Sequence, residues 1–465
     1  MSASPARALA GSRKYGVVGS SRYRMAVAGF LLQAVALFGG ASRIDEAAQL
    51  PVRLAAIMAI AASLWPLDFG RLRANPRLVL FAAACLALPL LQLLPLPPTL
   101  WDRLPGHRIY SEIATATATV GWRPLSLTPD LTVNALLALM VPAAAALAML
   151  YLDGDGRKAA AAAFVLAAFA SALLGLAQLA VPGDALRLYR HTSENAPVGL
   201  FANRNHQAAL LACALPLCAA LIPAAGSTRA RMVMFGFLAP AVLALTAVLA
   251  LTGSRMGVLL WSGGMLGAVW TLRARGLLPR PTGRMAVLGW SACAAAIAGL
   301  LVAAALFDHE ILARFRYQDI AADTRWATLP ALLETARAFF PTGAGFGSFA
   351  SIYPRFEPDA VLSTIYLNQA HDEPLQLAIE GGAPALILLV LFGGWWVRRA
   401  ASIAWHGRQA PQRGLPRAAV AVTALLMLSS LVDYPLRTPL LASLFAVCCV
   451  EMALADRGRG RPASH

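Results

Sequence analysis

The residues best suited to chemistry are a histidine and several arginines near the ends of apolar segments. His371 lies in NQAHDEPLQLAIEGG, directly before a long apolar run. An imidazole ordinarily titrates near neutral pH, so it can take a proton from a hydroxyl. Arg255, in LTGSRMG, and Arg325 carry permanent charges that bind phosphate oxygens through paired hydrogen bonds. These residue types fit group transfer from a diphosphate, in which arginines stabilise the leaving group while a base activates a hydroxyl.

A second polar segment, GLFANRNHQA, contributes Asn203, Arg204, Asn205 and His206 at the mouth of another apolar run. These side chains are candidates for substrate binding. The alternative is a polar helix start in which Asn203 or Asn205 is the N-cap. Arg255 has an alternative as well, because an arginine at the end of a span can extend to the membrane interface.

The elements that position these residues must be membrane-spanning helices. Of the 465 residues, 58% are hydrophobic and only 13% are charged, and the mean hydropathy is +0.63. The composition predicts an all-α polytopic membrane protein, since apolar blocks of about 17–24 residues can cross a bilayer as helices. About twelve spans are predicted, at 25–40, 50–67, 78–96, 131–152, 158–181, 206–224, 232–251, 256–272, 285–307, 375–397, 417–432 and 438–455.

The formal net charge of +16 follows the topology rather than forming one basic patch. Alternate connections between the spans are rich in arginine, and the positive-inside rule places them, with both termini, in the cytoplasm. Residues 1–24 are then a basic cytoplasmic leader without a cleavable signal, and residues 25–465 form a single membrane domain. Nucleic-acid binding is not expected, because topology already accounts for the basic charge.

The predicted outer face has a large loop at 308–374, between the ninth and tenth spans. Apolar residues from Trp326 to Phe340 recur at helical spacing and predict an amphipathic helix. Pro330 marks either its first turn or a kink. The alternating glycines of PTGAGFGSF predict a tight turn after it. The six cysteines lie in apolar runs, and no metal motif or cofactor site is recognised.

Four segments in this order resemble the O-antigen ligase and polymerase superfamily of bacterial inner membranes. The resemblance covers residues 199–382 and depends on GLFANRNHQAALLACALP, LTGSRMG, the RW followed by PTGAGFGSF, and AHDEPLQLAIEGG. It implies a membrane glycosyltransferase (GT-C-like) fold and a periplasmic site. It also implies that Arg255 and Arg325 bind pyrophosphate and that His371 activates the acceptor. Asp372 is a further substrate-binding candidate. Members of the superfamily often have asparagine at this position, so the difference leaves the acceptor open.

The resemblance also implies the substrates. The donor is an undecaprenyl-pyrophosphate-linked glycan, and the acceptor is a hydroxyl of lipid A core for a ligase or of a second lipid-linked glycan for a polymerase. Arg437, in VDYPLRTP, is a further substrate-binding candidate. A protein-glycosylating transferase is a third alternative, but no extra domain that would support it is recognised in this sequence. A bicarbonate-type solute transporter is disfavoured, because its internal repeats, broken helices and mid-membrane charges are missing.

Overall fold

A computed structural model describes residues 20–43, 46–65, 68–181, 183–193, 196–223, 242–278, 319–359, 362, 367–406 and 414–455, with side chains of 319–326 excluded. The described part is mainly helical. Its α-helices are α1 (Ser21–Phe38), α2 (Gln49–Leu64), α3 (Gly70–Arg73), α4 (Pro76–Gln92), α5 (Pro98–Trp101), α6 (Arg108–Ala116), α7 (Pro129–Tyr151), α8 (Gly154–Ala180), α9 (Arg204–Leu221), α10 (Val242–Leu251), α11 (Arg255–Ala274), α12 (Asp319–Phe339), α13 (Phe349–Ile352), α14 (Glu373–His406), α15 (Gly414–Ser430) and α16 (Pro439–Leu454). Two short strands, β1 (Pro95–Leu96) and β2 (Arg123–Pro124), pair antiparallel.

The helices are those of a membrane protein. Among the described residues, α7, α8 and α14 are long and apolar enough to cross a membrane, and α2, α4, α10, α15 and α16 are shorter apolar helices. Each predicted span except 285–307, which lies outside the described residues, overlaps one of these helices or α1, α9 or α11. The count of twelve spans stays a prediction. The third span was predicted to reach residue 96, but α4 ends at Gln92, because Pro95 and Pro97 cannot continue a helix.

The predicted cytoplasmic arginines meet at one end of the helix bundle. Arg71 donates to the carbonyl oxygens of Leu150 and Leu152, both at 3.0 Å, at the C-terminal end of α7. Arg157, near the start of α8, pairs with Glu451, near the end of α16, at 2.8 Å. Helix α16 begins beside the loop that follows α15, and this loop contains Asp433 and Arg437. The candidate site residues therefore lie at the end of the bundle opposite to Glu451. This separation agrees with the alternation of basic connections.

The predicted amphipathic helix and glycine turn are present in the long loop. Helix α12 runs through Pro330 and buries Ala331, Leu332 and Phe339 in a small hydrophobic core separate from that of the bundle. Beyond it, the three alternating glycines all have positive φ: Gly343 at 76°, Gly345 at 103° and Gly347 at 84°. Residues 308–318 lie outside the described residues.

The glycine turn packs against a break in α14. At Gly382 φ is 60° and ψ is −152°, so the helical hydrogen bonds are interrupted there, and Pro384 offers no N–H to the carbonyl oxygen of Glu380. The turn supplies the missing donors: the N–H of Ala344 bonds to Ile379 O and that of Gly345 to Glu380 O, both at 2.9 Å. These hydrogen bonds hold the first two turns of α14 in a defined place beside the loop.

Candidate functional site

The candidate site lies where α9, α11, α14 and α16 begin and α15 ends. The ends are joined by side-chain contacts among Asn205, His206, Ser254, His371, Asp433 and Tyr434, which we call the His371 cluster. Four helix N-termini direct their positive dipole ends toward this side of the bundle, which favours a bound anion.

His371 is the last loop residue but one before α14, and its side chain is 24% exposed. Its Nδ1 lies 3.5 Å from Asp433 Oδ1, and its ring stands edge-on to that of Tyr434, with centroids 4.9 Å apart. Its φ of 52° is left-handed, which costs roughly 1–2 kcal/mol in a residue other than glycine. Strain of this kind is concentrated at functional sites, where the surrounding structure holds it in place.

Asp433 is the centre of the cluster and is only 1% exposed. Its Oδ2 accepts a hydrogen bond from Asn205 Nδ2 at 2.9 Å, and its Oδ1 accepts one from the N–H of Tyr434 at 2.9 Å. Burial raises the pKa of Asp433, but contacts with His371, His206 and Asn205 outweigh it and hold the pKa well below its usual range. Asp433 is therefore a carboxylate at neutral pH.

His206 lies on the other side of Asp433, with its Nε2 3.9 Å from Asp433 Oδ1. It is 1% exposed and is enclosed by the rings of Phe201 and Tyr434. The sequence predicts a substrate-binding role for His206. The structure instead places the imidazole behind Asp433, where it contacts protein.

Asn205 connects the cluster to the start of α11, where Arg255 is the first residue. Ser254 Oγ donates to Asn205 Oδ1 at 2.9 Å. Ser254 is also the N-cap of α11, because its Oγ accepts a hydrogen bond from the N–H of Gly257. Arg255 is the next residue and is exposed. Three contacts therefore join the backbone that carries Arg255 to His371, over 116 residues of sequence.

Arg437 follows the cluster in a 3₁₀ turn (Pro435–Arg437) and is paired with a buried acid. Its Nη2 lies 3.2 Å from Glu380 Oε2, and the two side chains are 25% and 1% exposed. Glu373 anchors the same turn, because its Oε1 accepts a hydrogen bond from the N–H of Leu436 at 3.0 Å. The turn is thus attached twice to the first part of α14.

Comparison with protein families adds an independent observation. Residues 239–390 match the family described as O-antigen ligase. This part of the chain is therefore similar to the O-antigen ligase family. A search of curated proteins finds no match to the chain.

The matched region and the flanking helices share the site. The matched region contains Arg255, Arg325 and His371, but it begins 40 residues after the start of the predicted resemblance and so excludes α9. Asn205, His206 and Asp433 lie outside it and still complete the surroundings of His371. The site is therefore assembled from the matched region and from helices on both sides of it.

The remaining predicted residues have more local positions. Asn203 is the N-cap of α9 and accepts from the N–H of Asn205 at 2.8 Å, while the N–H of Arg204 donates to Ser193 Oγ at 3.2 Å. Asp372 caps α14, since its Oδ1 accepts from the N–H of Leu375 at 2.8 Å. The side chain of Arg325 lies outside the described residues. Substrate binding by these four residues stays a prediction.

Sequence reasoning missed Asp433 and Glu380 as site residues. Both are acids at the predicted outer ends of spans, which is a weak signal, and Asp433 lies in the same segment as Arg437. Nothing in the sequence pairs Asp433 with His371, 62 positions away. Within the described ranges, no three His, Cys, Asp or Glu side chains are arranged to hold a metal ion.

Proposed function

We propose that this protein transfers a glycan from undecaprenyl pyrophosphate to a hydroxyl of lipid A core, on the periplasmic face of a bacterial inner membrane. Both termini would be cytoplasmic. The proposal depends on one observation above all: a partly exposed histidine is backed by a buried carboxylate, in a cluster that includes part of the region similar to the O-antigen ligase family.

The contact with Asp433 supports His371 as the general base. A carboxylate beside Nδ1 favours the tautomer with a proton on that nitrogen, so Nε2 keeps a lone pair for the acceptor hydroxyl. Because Asp433 is buried and ionised, it also stabilises the imidazolium that forms when the proton is taken. The hydrogen bond between Gln376 and Ala370 restrains the left-handed backbone of His371 and so keeps the ring in this place.

The cationic residues support a diphosphate donor. Arg255 starts α11, Arg437 is held beside the cluster, and four helices begin at the same end of the bundle. Guanidinium groups and helix N-termini both stabilise a diphosphate leaving group. We include Arg325 in this set from its motif. The undecaprenyl tail would stay in the lipid, beside the exposed apolar faces of the spans.

The reaction that follows is a direct displacement. The acceptor oxygen loses its proton to His371 Nε2 and bonds to the anomeric carbon. The bond from that carbon to the pyrophosphate oxygen breaks, and undecaprenyl pyrophosphate leaves with both bonding electrons. The anomeric configuration is inverted. The arginines neutralise the leaving charge, so the proposed step needs no metal ion.

Gene deletion followed by glycan analysis tests the proposal. For a ligase, the deletion strain accumulates lipid-linked polymer that is not attached to lipid A core, and the intact gene restores attachment. His371→Ala is expected to lower transfer by about 100-fold or more, the usual contribution of a general base. Arg255→Ala should raise the donor concentration needed for half-maximal rate.

Other outcomes redirect or end the proposal. Single repeat units in the deletion strain would indicate a polymerase, in which the acceptor is a second lipid-linked glycan. Normal surface glycan in that strain would contradict both versions. Purified protein should turn over the lipid-pyrophosphate donor in the presence of chelator, and loss of turnover that is restored by a divalent cation would contradict the metal-free step.

A further inference from the structure

Glu380 is a buried acid that joins parts of the chain on both sides of the candidate site. It is 0% exposed and lies just before the break in α14. Its Oε1 accepts from Gln376 Nε2 at 3.0 Å and from the N–H of Phe349 at 3.3 Å, and its Oε2 faces Arg437 Nη2 at 3.2 Å. Its carbonyl oxygen accepts from Gln92 Nε2 at 2.9 Å. Three other segments, which contain Gln92, Phe349 and Arg437, therefore meet α14 at this residue.

Gln376 extends this arrangement to the loop before His371. It is 1% exposed, and its Oε1 accepts a hydrogen bond from the N–H of Ala370 at 3.0 Å. Its Nε2 also donates to Gln369 Oε1 at 2.6 Å. The two residues that precede His371 are thus attached to a side chain that Glu380 orients. The attachment ends on Ala370, which directly precedes His371, and the left-handed backbone of His371 needs such restraint.

The charge of Glu380 has a different task from its hydrogen bonds. Gln376 and Phe349 require only an acceptor, which an amide oxygen would also supply. Arg437 has donors alone, so it needs the second oxygen and its negative charge. An amide at position 380 would place an N–H₂ group against the guanidinium, or would leave Gln376 without its acceptor.

We propose that Glu380 is a positioning residue that holds Arg437 for the donor diphosphate and, through Gln376, holds His371 for the acceptor. The inference rests on the proposed function and goes beyond it, because it assigns one buried carboxylate to both halves of the reaction. Arg437 then binds the diphosphate with the guanidinium nitrogens that do not face Glu380.

Two variants separate the two tasks in purified protein supplied with a lipid-pyrophosphate donor. Glu380→Gln removes the charge that orients Arg437, and we expect the donor KM to rise about tenfold, the value of one charge-assisted hydrogen bond, with kcat within about threefold of wild type. Gln376→Met keeps the volume and removes the attachment of the His371 loop. We expect its kcat to fall about tenfold or more while the donor KM stays within about threefold.

Glu451→Gln is the matched control. Glu451 is also a buried acid paired with an arginine, but it lies 12 residues into α16 from Pro439, roughly 18 Å from the end of the bundle that holds the site. Its loss is expected to lower the thermal unfolding temperature in detergent without changing kcat or KM. If Glu380→Gln lost activity only in proportion to unfolding, as a merely structural residue would, the proposal would be overturned.

The split in kinetic constants is the decisive readout. Equal falls in kcat for both variants with an unchanged donor KM would also overturn the assignment of Arg437 to the diphosphate. Failure of the proposed function looks different, because wild-type protein would then transfer no glycan from any lipid-pyrophosphate donor.

Discussion

Replacing Asp433 by asparagine tests the chemistry of the site most directly. The change keeps the size of the side chain and removes its charge from a position 3.5 Å from His371 Nδ1. Two full unit charges at that distance attract by about 5 kcal/mol at an effective dielectric constant of about 20. Water weakens this value, because the His371 side chain is 24% exposed. We expect Asp433→Asn to lower kcat by about 100–1000-fold.

Transfer of a labelled glycan from a lipid-pyrophosphate donor, measured as initial rates at several donor concentrations, gives both constants. The donor KM of Asp433→Asn should stay near that of wild type, because Asp433 does not face the diphosphate in this scheme. Folding is checked by thermal unfolding in detergent, and Glu451→Gln again serves as the control. Turnover within about threefold of wild type, in a folded variant, would refute His371 and Asp433 as a catalytic pair.

Three further predictions concern stability in detergent. Because the folded pKa of Asp433 is depressed, its stabilising contribution is present above the unfolded value of about 3.9 and is lost as pH falls below it, so acid should destabilise wild type more than Asp433→Asn. His107 is fully buried, and its ring nitrogens contact the carbonyl oxygens of Pro105 and Leu125 at 2.9 and 3.0 Å. His107→Phe should therefore lower the free energy of unfolding by about 1–3 kcal/mol. His191→Ala, at an exposed position, should leave it nearly unchanged and serves as the control. Gly343→Ala should destabilise the folded protein by about 2 kcal/mol or more, because φ is 76° and the new Cβ would lie 2.5 Å from Glu380 O. Gly393→Ala serves as the control, because a Cβ at that position would have no atom within 4 Å.

Local patterns predicted much of the architecture. Apolar blocks of the right length located helices that the structure contains, and alternating basic connections agree with the arginines gathered at one end of the bundle. The spacing of apolar residues after Trp326 predicted α12, and alternating glycines predicted the turn at residues 343–347. These features depend on neighbours a few positions away, so sequence spacing describes them well.

Short motifs identified some members of the candidate site, and the roles of those residues stay predictions. His371 and Arg255 were recognised from short motifs, and the structure brings the segments that contain them to the same end of the bundle through Ser254 and Asn205. His206 was predicted to bind substrate, but the fold encloses it behind Asp433. Asp433 was missed, since a single aspartate near the end of a span has no periodicity that marks it.

The sequence alone determined a helical membrane protein with cations and a histidine concentrated in a few connections, because hydrophobic length and charge placement are properties of the chain itself. Tertiary structure decided which of those groups act together. Asp433 meets His371 and His206, and Glu380 meets Arg437, only because α9, α11, α14 and α16 begin side by side. Such contacts depend on how helices pack across tens to hundreds of residues, and no local spacing encodes that distance.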